Sequence, residues 1–366
     1  MSKKCFQFDT VRFIAFLKVF LNHLPLATLP VLHVFQSTGT NRFFFVLSGF
    51  LITFVILNEK VKYQSFNFIK FITKRTLRVV PLYYLIIAFA FLTPAILSLL
   101  QLPSSNKGYD PELIWSVTFM ENYKMMFERD SANVSPLSVV WSLCTEIHFY
   151  ILWGLAFLFL KPKNSLYLIG LALIIATPFR ILYNSHALVA ADLASNLDYF
   201  AFGAIPAYLY VMRNHNFEEW LSYVPNIFKI FIYVIAVLFV FVVPQFNFPY
   251  KYVIEPLCFG IIFMFVISFL TTIKTEETKS NRLFSYLGTF TYGMYIYHTI
   301  VINLMIKIFS MLGLEEDNML NIFLLSASCL LITIGISVVS YHLFEKHFLH
   351  LGEKSENTDS LAYLKK

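Results

Sequence analysis

The 366-residue sequence predicts an all-α fold, a polytopic transmembrane helix bundle of about ten spans with both termini cytosolic. Hydrophobic residues make up 58% of the chain and the mean hydropathy is +0.66, against the roughly 45–50% apolar content of soluble domains. Apolar runs long enough to cross a bilayer, about 17–25 residues each, recur from end to end. Cationic residues gather between alternate runs, which is the charge bias that orients membrane helices.

The runs place spans at about 9–29, 43–57, 80–101, 137–160, 165–183, 192–211, 224–243, 251–271, 287–309 and 319–345. Residues 1–346 thus form one transmembrane domain and 347–366 a short polar cytosolic tail, with no intervening stretch long enough for a soluble domain. An N-terminus inside puts Lys3, Lys4, Lys60, Lys62, Lys70, Lys74, Arg75, Arg78, Lys161, Lys163, Arg213, Lys274, Lys279, Arg282, Lys346, Lys354, Lys365 and Lys366 on the cytosolic side. The opposite side receives Arg42, Lys107, Lys124, Arg129 and Lys251 with the acidic Asp110, Glu112, Glu121, Glu128, Asp130, Glu315, Glu316 and Asp317. This distribution explains the net charge of +6 without a nucleic-acid partner; the partners it implies are membrane lipids.

The first apolar run already carries Asp9, Arg12, Lys18 and His23 and no small-residue cleavage site follows it, so a retained span is expected rather than a signal peptide. Cys144, Cys258 and Cys329 fall within apolar runs and Cys5 beside the N-terminus, a pattern of buried thiols rather than a disulfide framework. The connection from about 102 to 136 contains ELIWSVTFMENYKMMF, apolar at helical spacing but broken by charge. It reads as an interfacial or re-entrant helix, either a lid over the bundle or a substrate-recognition surface.

Ionisable groups at membrane depth cost several kcal/mol and are kept where they face a cavity or a partner. Arg12 and His23 are eleven residues apart, which returns to nearly the same helix face about 16 Å further along. Asp9, one turn before Arg12, can pair with it. Glu146 lies deep in the fourth run and needs a cation, a proton or water. Tyr292, Tyr295 and His298 recur every three residues along one side of the ninth. Ser48 and Gly49 read either as a close helix contact or as part of a ligand site. Arg75 and Arg78, one turn apart before Pro81, suit topology and lipid head groups, and equally the phosphates of a cytosolic ligand such as coenzyme A. His23, Glu146, His148 and His298 lack the short helical spacing of a preformed zinc pair, so no metal is expected. His342, His347 and His350 read as a basic interface at the cytosolic end of the last span.

In order along nearly the whole chain, these blocks resemble the acyltransferase 3 family of membrane acyltransferases. They are the Arg12 and His23 pair, FFFVLSGFL, RTLRVVPLYYL, WSLCTEIHFYILWG, LDYFAFGAIPAYL, TYGMYIYH and SYHLFEKHF. The chain departs from the family pattern at Thr10 and Phe13, where glycines are common, at Asn41 and Arg42, and at Thr291, Tyr292 and Gly293 in place of serine-tyrosine-serine. With no esterase-like domain after the bundle, it resembles the stand-alone branch. The resemblance implies transfer of an acyl group, often acetyl, from cytosolic acyl-CoA to a hydroxyl of a sugar, cell-envelope polysaccharide or lipid-linked glycan. It also implies a multi-pass protein of the bacterial inner membrane, with His23 catalytic and Arg12 its essential companion.

The mechanism expected from these residues has Arg75, Arg78 and Arg12 holding the coenzyme A phosphates, with Ser48 in the same donor site. His23 deprotonates the acceptor hydroxyl, Glu146 orients an imidazole or the acceptor, and Tyr295 or His298 steadies the tetrahedral oxyanion. Acyl-CoA enters as co-substrate and no permanently bound cofactor is expected. A transporter or flippase for a glycan or anion is the competing reading, since Arg12, His23, Glu146 and His298 also suit a proton-coupled path; the missing repeat and paired broken helices weigh against it. Acceptor identity, acyl length, the face of modification and self-association into a homo-oligomer are left open.

Overall fold

The computed structural model describes residues 2–26, 30–36, 39, 41–99, 101, 112–128, 136–137, 139–273, 279–314 and 318–352. Lys107, Asp110, Arg129, Asp130, Lys274, Glu315, Glu316, Asp317, Lys354, Lys365 and Lys366, and most of the tail, lie outside the described residues. Among the described residues there is no strand, and every one of the ten apolar runs falls on a helix. Those helices are α1 Ser2–His23, α2 Asn41–Tyr63, α3 Phe68–Leu99, α6 Trp141–Phe159, α7 Ser165–Ser185, α8 Leu193–Met212, α10 Asn226–Val242, α11 Lys251–Leu270, α13 Thr291–Met311 and α14 Met319–Ser340. Short amphipathic helices complete the set: α4 Leu113–Val117, α5 Glu121–Glu128, α9 Asn214–Tyr223 and α12 Lys279–Thr289.

Eight of these helices are long and apolar enough to cross a membrane; α1 and α8 are not among them. Both are interior helices. Fourteen of the 20 residues of α8 are buried, whereas in the strongly apolar α10 only Ala236 and Val240 of 17 are. In lipid the apolar helix belongs outside, and the polar one is kept where neighbours satisfy it. α8 is accordingly wrapped by α2, α7 and α11, and Arg180 of α7 makes a bidentate ion pair with Asp198, both contacts 2.6 Å, in the interior.

Several helix boundaries differ from the sequence expectation, and three of them bear on the site. The first helix stops at His23 instead of running to 29, because Pro25 disfavours helical geometry in the residue before it. The third begins at Phe68, twelve residues before the expected 80, so Arg75 and Arg78 ride on the helix itself and Pro81 and Pro94 lie within it. Last, α14 continues through a π-helical turn at Tyr341–Glu345 to Gly352, past the expected limit of 345.

The apolar interior divides into three clusters, one around α2, α6, α7, α8 and α11, one between α1, α13 and α14, and one between α3, α6 and α13. Where α2 crosses α8 the backbones touch: a Cβ on Gly203 would stand 1.8 Å from the Val46 carbonyl oxygen, and one on Gly49 2.0 Å from that of Phe200. Small residues allow this approach. Segment α4–α5 is docked onto the bundle, with Tyr83 and Tyr84 of α3 donating to the Ser116 and Val117 carbonyls at 2.7 and 2.9 Å.

Candidate active site

Two adjoining chambers lie where the three clusters meet. The larger, about 410 Å³, is lined by Phe8, Asp9, Phe54, Tyr210, Tyr341 and Glu345 among others. A smaller one, about 120 Å³, is lined by Asn41, Ser48, Ser142, Glu146, Tyr150 and Tyr295 among others. Arg12, Leu51, Arg75, Arg78 and Tyr292 border both. Three guanidinium groups from two helices therefore stand at the passage between the chambers.

Each is placed by its helix. Arg12 holds Asp9 one turn back on α1 at 2.5 Å. Arg75 and Arg78, one turn apart on α3, make no ion pair among the described residues; Arg75 lies 5.9 Å from the Phe71 ring and 6.0 Å from that of Tyr150. Guanidinium groups that face a cavity with no carboxylate in direct contact are suited to bidentate capture of an anion. Glu146, across the small chamber, accepts hydrogen bonds at Oε1 from Ser48 Oγ and Tyr150 Oη. Ser48 thus turns to the cavity while its neighbour Gly49 makes the close helix contact, which separates the two readings of that dipeptide.

The polar ladder of α13 fans out to three neighbours. Tyr292 Oη donates to the Val79 carbonyl at 2.6 Å, and Tyr295 Oη donates to the Val139 carbonyl at 2.8 Å and lies 2.7 Å from Ser142 Oγ. The third rung, His298, is fully buried and meets His23: Nε2 lies 3.4 Å from His23 Nδ1 and the rings are 4.8 Å apart at 78°. His298 Nδ1 is 2.7 Å from the Tyr295 carbonyl, and His23 Nδ1 is 2.9 Å from that of Val19. Tyr295 therefore joins the two groups, presenting its side chain to the small chamber and its carbonyl to His298.

The structure gathers Arg12, Ser48, Arg75, Arg78, Glu146 and Tyr295 at the chambers and sets His23 with His298 behind Tyr295, lining neither chamber. His23 closes α1 and points into the bundle at His298. His148 stands apart, 5.8 Å from Tyr123, with its Nδ1 buried and unpartnered. Among the described residues no group of three or more His, Cys, Asp or Glu is placed to hold a metal ion. Tyr150, Ser142 and Glu345 escaped the sequence reading. Tyr150 was detectable from its i+4 spacing to Glu146. The Ser142 contact with Tyr295 joins residues 153 apart. Glu345 reaches the large chamber from the π-helical turn, a distortion that recurs at functional sites.

Three comparisons bear on this site. The chain is 37% identical over 152 residues to a peptidoglycan O-acetyltransferase OatA of Listeria monocytogenes, covering 38% of this chain and 24% of that protein. It is 28% identical over 183 residues to the O-acetyltransferase OatA of Staphylococcus aureus, covering 46% and 29%, and 29% identical over 125 residues to an uncharacterized protein of Haemophilus influenzae, covering 33% and 49%. The matched stretches span less than half the length of each relative. No solved structure matches the chain. A family model described as an acyltransferase domain matches residues 6–342, from before the Asp9–Arg12 pair to the π-helical turn. The chain belongs to the acyltransferase 3 family, and is a membrane-embedded transferase.

Proposed function

We propose that the protein moves an acyl group, acetyl before any longer one, from cytosolic acyl-CoA to a hydroxyl of a cell-envelope glycan. The observation that carries this reading is the pair of guanidinium groups, Arg75 and Arg78, that make no ion pair within 4.0 Å among the described residues and stand at the passage between the two chambers. With ten spans and both termini cytosolic, the larger chamber opens on the cytosol, where the donor is. The coenzyme A phosphates then sit on Arg75, Arg78 and Arg12, and the pantetheine arm runs outward through the passage. His23 lies eleven residues along α1 from Arg12, about 16 Å further out, a separation that the extended arm can bridge.

In the transfer step His23 takes the proton of the acceptor hydroxyl, the oxygen attacks the thioester carbon, the carbon–sulfur bond breaks, and the departing thiolate takes up a proton. General-base help of this kind contributes about 10²–10⁴-fold. Glu146, held by Ser48 and Tyr150, faces the small chamber as an acceptor for a bound hydroxyl. The glycan acceptor is supported by the two OatA relatives, both O-acetyltransferases and one of them a peptidoglycan O-acetyltransferase. Bacterial relatives likewise support the bacterial inner membrane as the location.

The test is to incubate membranes bearing the protein with acyl-labelled acetyl-CoA and to weigh the glycans they contain. The proposal expects covalent label and a mass increase of one acetyl unit that depends on the protein. Passage of solute across the membrane with no covalent label would replace the enzyme with a carrier.

A further inference from the structure

The proton positions of the His23–His298 pair follow from the two carbonyls that hold it. A carbonyl oxygen only accepts. His298 Nδ1, 2.7 Å from the Tyr295 carbonyl, therefore carries a proton, and so does His23 Nδ1, 2.9 Å from that of Val19. With both rings neutral, each lone pair is on Nε2. His298 Nε2 faces His23 Nδ1 at 3.4 Å and accepts a share of its proton. His23 Nε2 is left as the lone-pair nitrogen. Two neutral rings in this arrangement have one consistent tautomer each, and the nitrogen facing away from the pair is a base.

We infer that His298 is a positioning residue that shares with the Val19 carbonyl the task of holding His23 in the Nδ1–H tautomer, and that it receives part of the positive charge of His23 during turnover. The inference rests on His23 being the base of the proposed transfer. It replaces the expectation that His298 donates to the oxyanion, because both of its nitrogens are engaged with protein atoms. Burial strengthens the requirement. His298 is fully enclosed, with the Phe16 ring edge-on at 5.9 Å, so the contact between the two imidazoles is made in a low-dielectric interior where a lost acceptor costs more than at the surface. Lys18 on α1 is a further cation near the pair, and its Nζ donates to the Phe35 carbonyl at 3.1 Å. When His23 Nε2 takes the hydroxyl proton, the charge spreads onto Nδ1–H, where the Val19 carbonyl and His298 Nε2 both accept it. Fixing an imidazole's tautomer through its second nitrogen is a general device for making the first one a competent base.

The test uses the full-length protein with ¹⁵N-labelled histidine in lipid bilayers, with His23→Ala assigning the His23 signals. Solid-state NMR at a pH where both rings are neutral is expected to give His23 a protonated Nδ1 and a lone-pair Nε2. His298→Gln, whose amide oxygen can stand where Nε2 stood, is expected to keep that tautomer and at least about a tenth of the acyl transfer. His298→Phe, with ring shape but no acceptor, leaves the Val19 carbonyl as the remaining holder of the Nδ1 proton, and is expected to admit part of the Nε2–H tautomer and lower transfer about 100-fold with unchanged protein abundance. A wild-type His23 protonated on Nε2, or equal losses in both variants with the His23 signals unmoved, would overturn the inference. Full transfer by His23→Ala would instead remove the base itself, and leaves the tautomer result standing as a separate observation.

Discussion

The crossing of α2 with α8 and the junction of α1, α3 and α13 lie side by side in one bundle and are filled in opposite ways. At the crossing, Gly49 and Gly203 bring backbones into contact and aromatic rings close the space around them, with Phe149 stacked on Phe200 at 4.0 Å. At the junction three arginines border open volume, and the carboxylate of Glu146 accepts from two hydroxyls. Ser48 and Gly49 are adjacent in sequence and face these two regions in turn. Close packing holds the helices together without help from the hydrophobic effect. The polar junction adds no comparable packing, and ionisable groups held at such a cost are the ones the proposed chemistry uses.

Substitutions separate the two regions by what they remove. Gly203→Leu at the crossing places side-chain carbon where the Val46 carbonyl already stands, a conflict worse than the usual overpacking penalty of about 1–3 kcal/mol. The expected result is loss of folded protein, read as membrane abundance and detergent-resistant melting, with activity falling in parallel. Arg75→Ala and Arg78→Ala at the junction should leave abundance unchanged and raise KM for acyl-CoA by about 10–100-fold each, the worth of one charge-assisted contact. Arg75→Lys, which keeps the charge but not the bidentate fork, falls between. A junction variant that lost abundance as Gly203→Leu does would erase the distinction.

The smallest effect concerns the outer segment α4–α5. Glu121 is buried and accepts from Ser116 Oγ at 2.7 Å; burial, opposed by Lys124, pushes its carboxyl from 4.5 up to about 7. The docked state therefore binds the proton more tightly than the undocked one, so docking is favoured below about 4.5 and loses stability as pH rises toward about 7. Hydrogen exchange across 112–128 should speed up over that window, and Glu121→Gln should flatten the change. An unchanged pH response in the variant would assign the effect elsewhere.

Much of this architecture was legible from residue types alone. The cost of charge in lipid singled out Arg12, Glu146 and His23, and eleven-residue spacing put Arg12 and His23 on one face of α1. Helix limits were harder. The charged stretch KFITKRTLR reads as a cytosolic approach, yet it forms the first turns of α3, and its two arginines, Arg75 and Arg78, line the chambers. Pro81 resembles a helix start and lies in an interior, which neighbouring helices tolerate at membrane depth. Contacts between Ser48 and Glu146, 98 residues apart, or His23 and His298, 275 apart, depend on tertiary packing that no local pattern encodes.

The claim that the junction and its imidazole pair form the acyl-transfer site is tested most directly by the transfer rate per molecule of purified His23→Ala in bilayers, with labelled acetyl-CoA and glycan acceptor at saturation. The account predicts a fall of about 10²–10⁴-fold at unchanged melting temperature. A rate equal to that of the unsubstituted protein would contradict it.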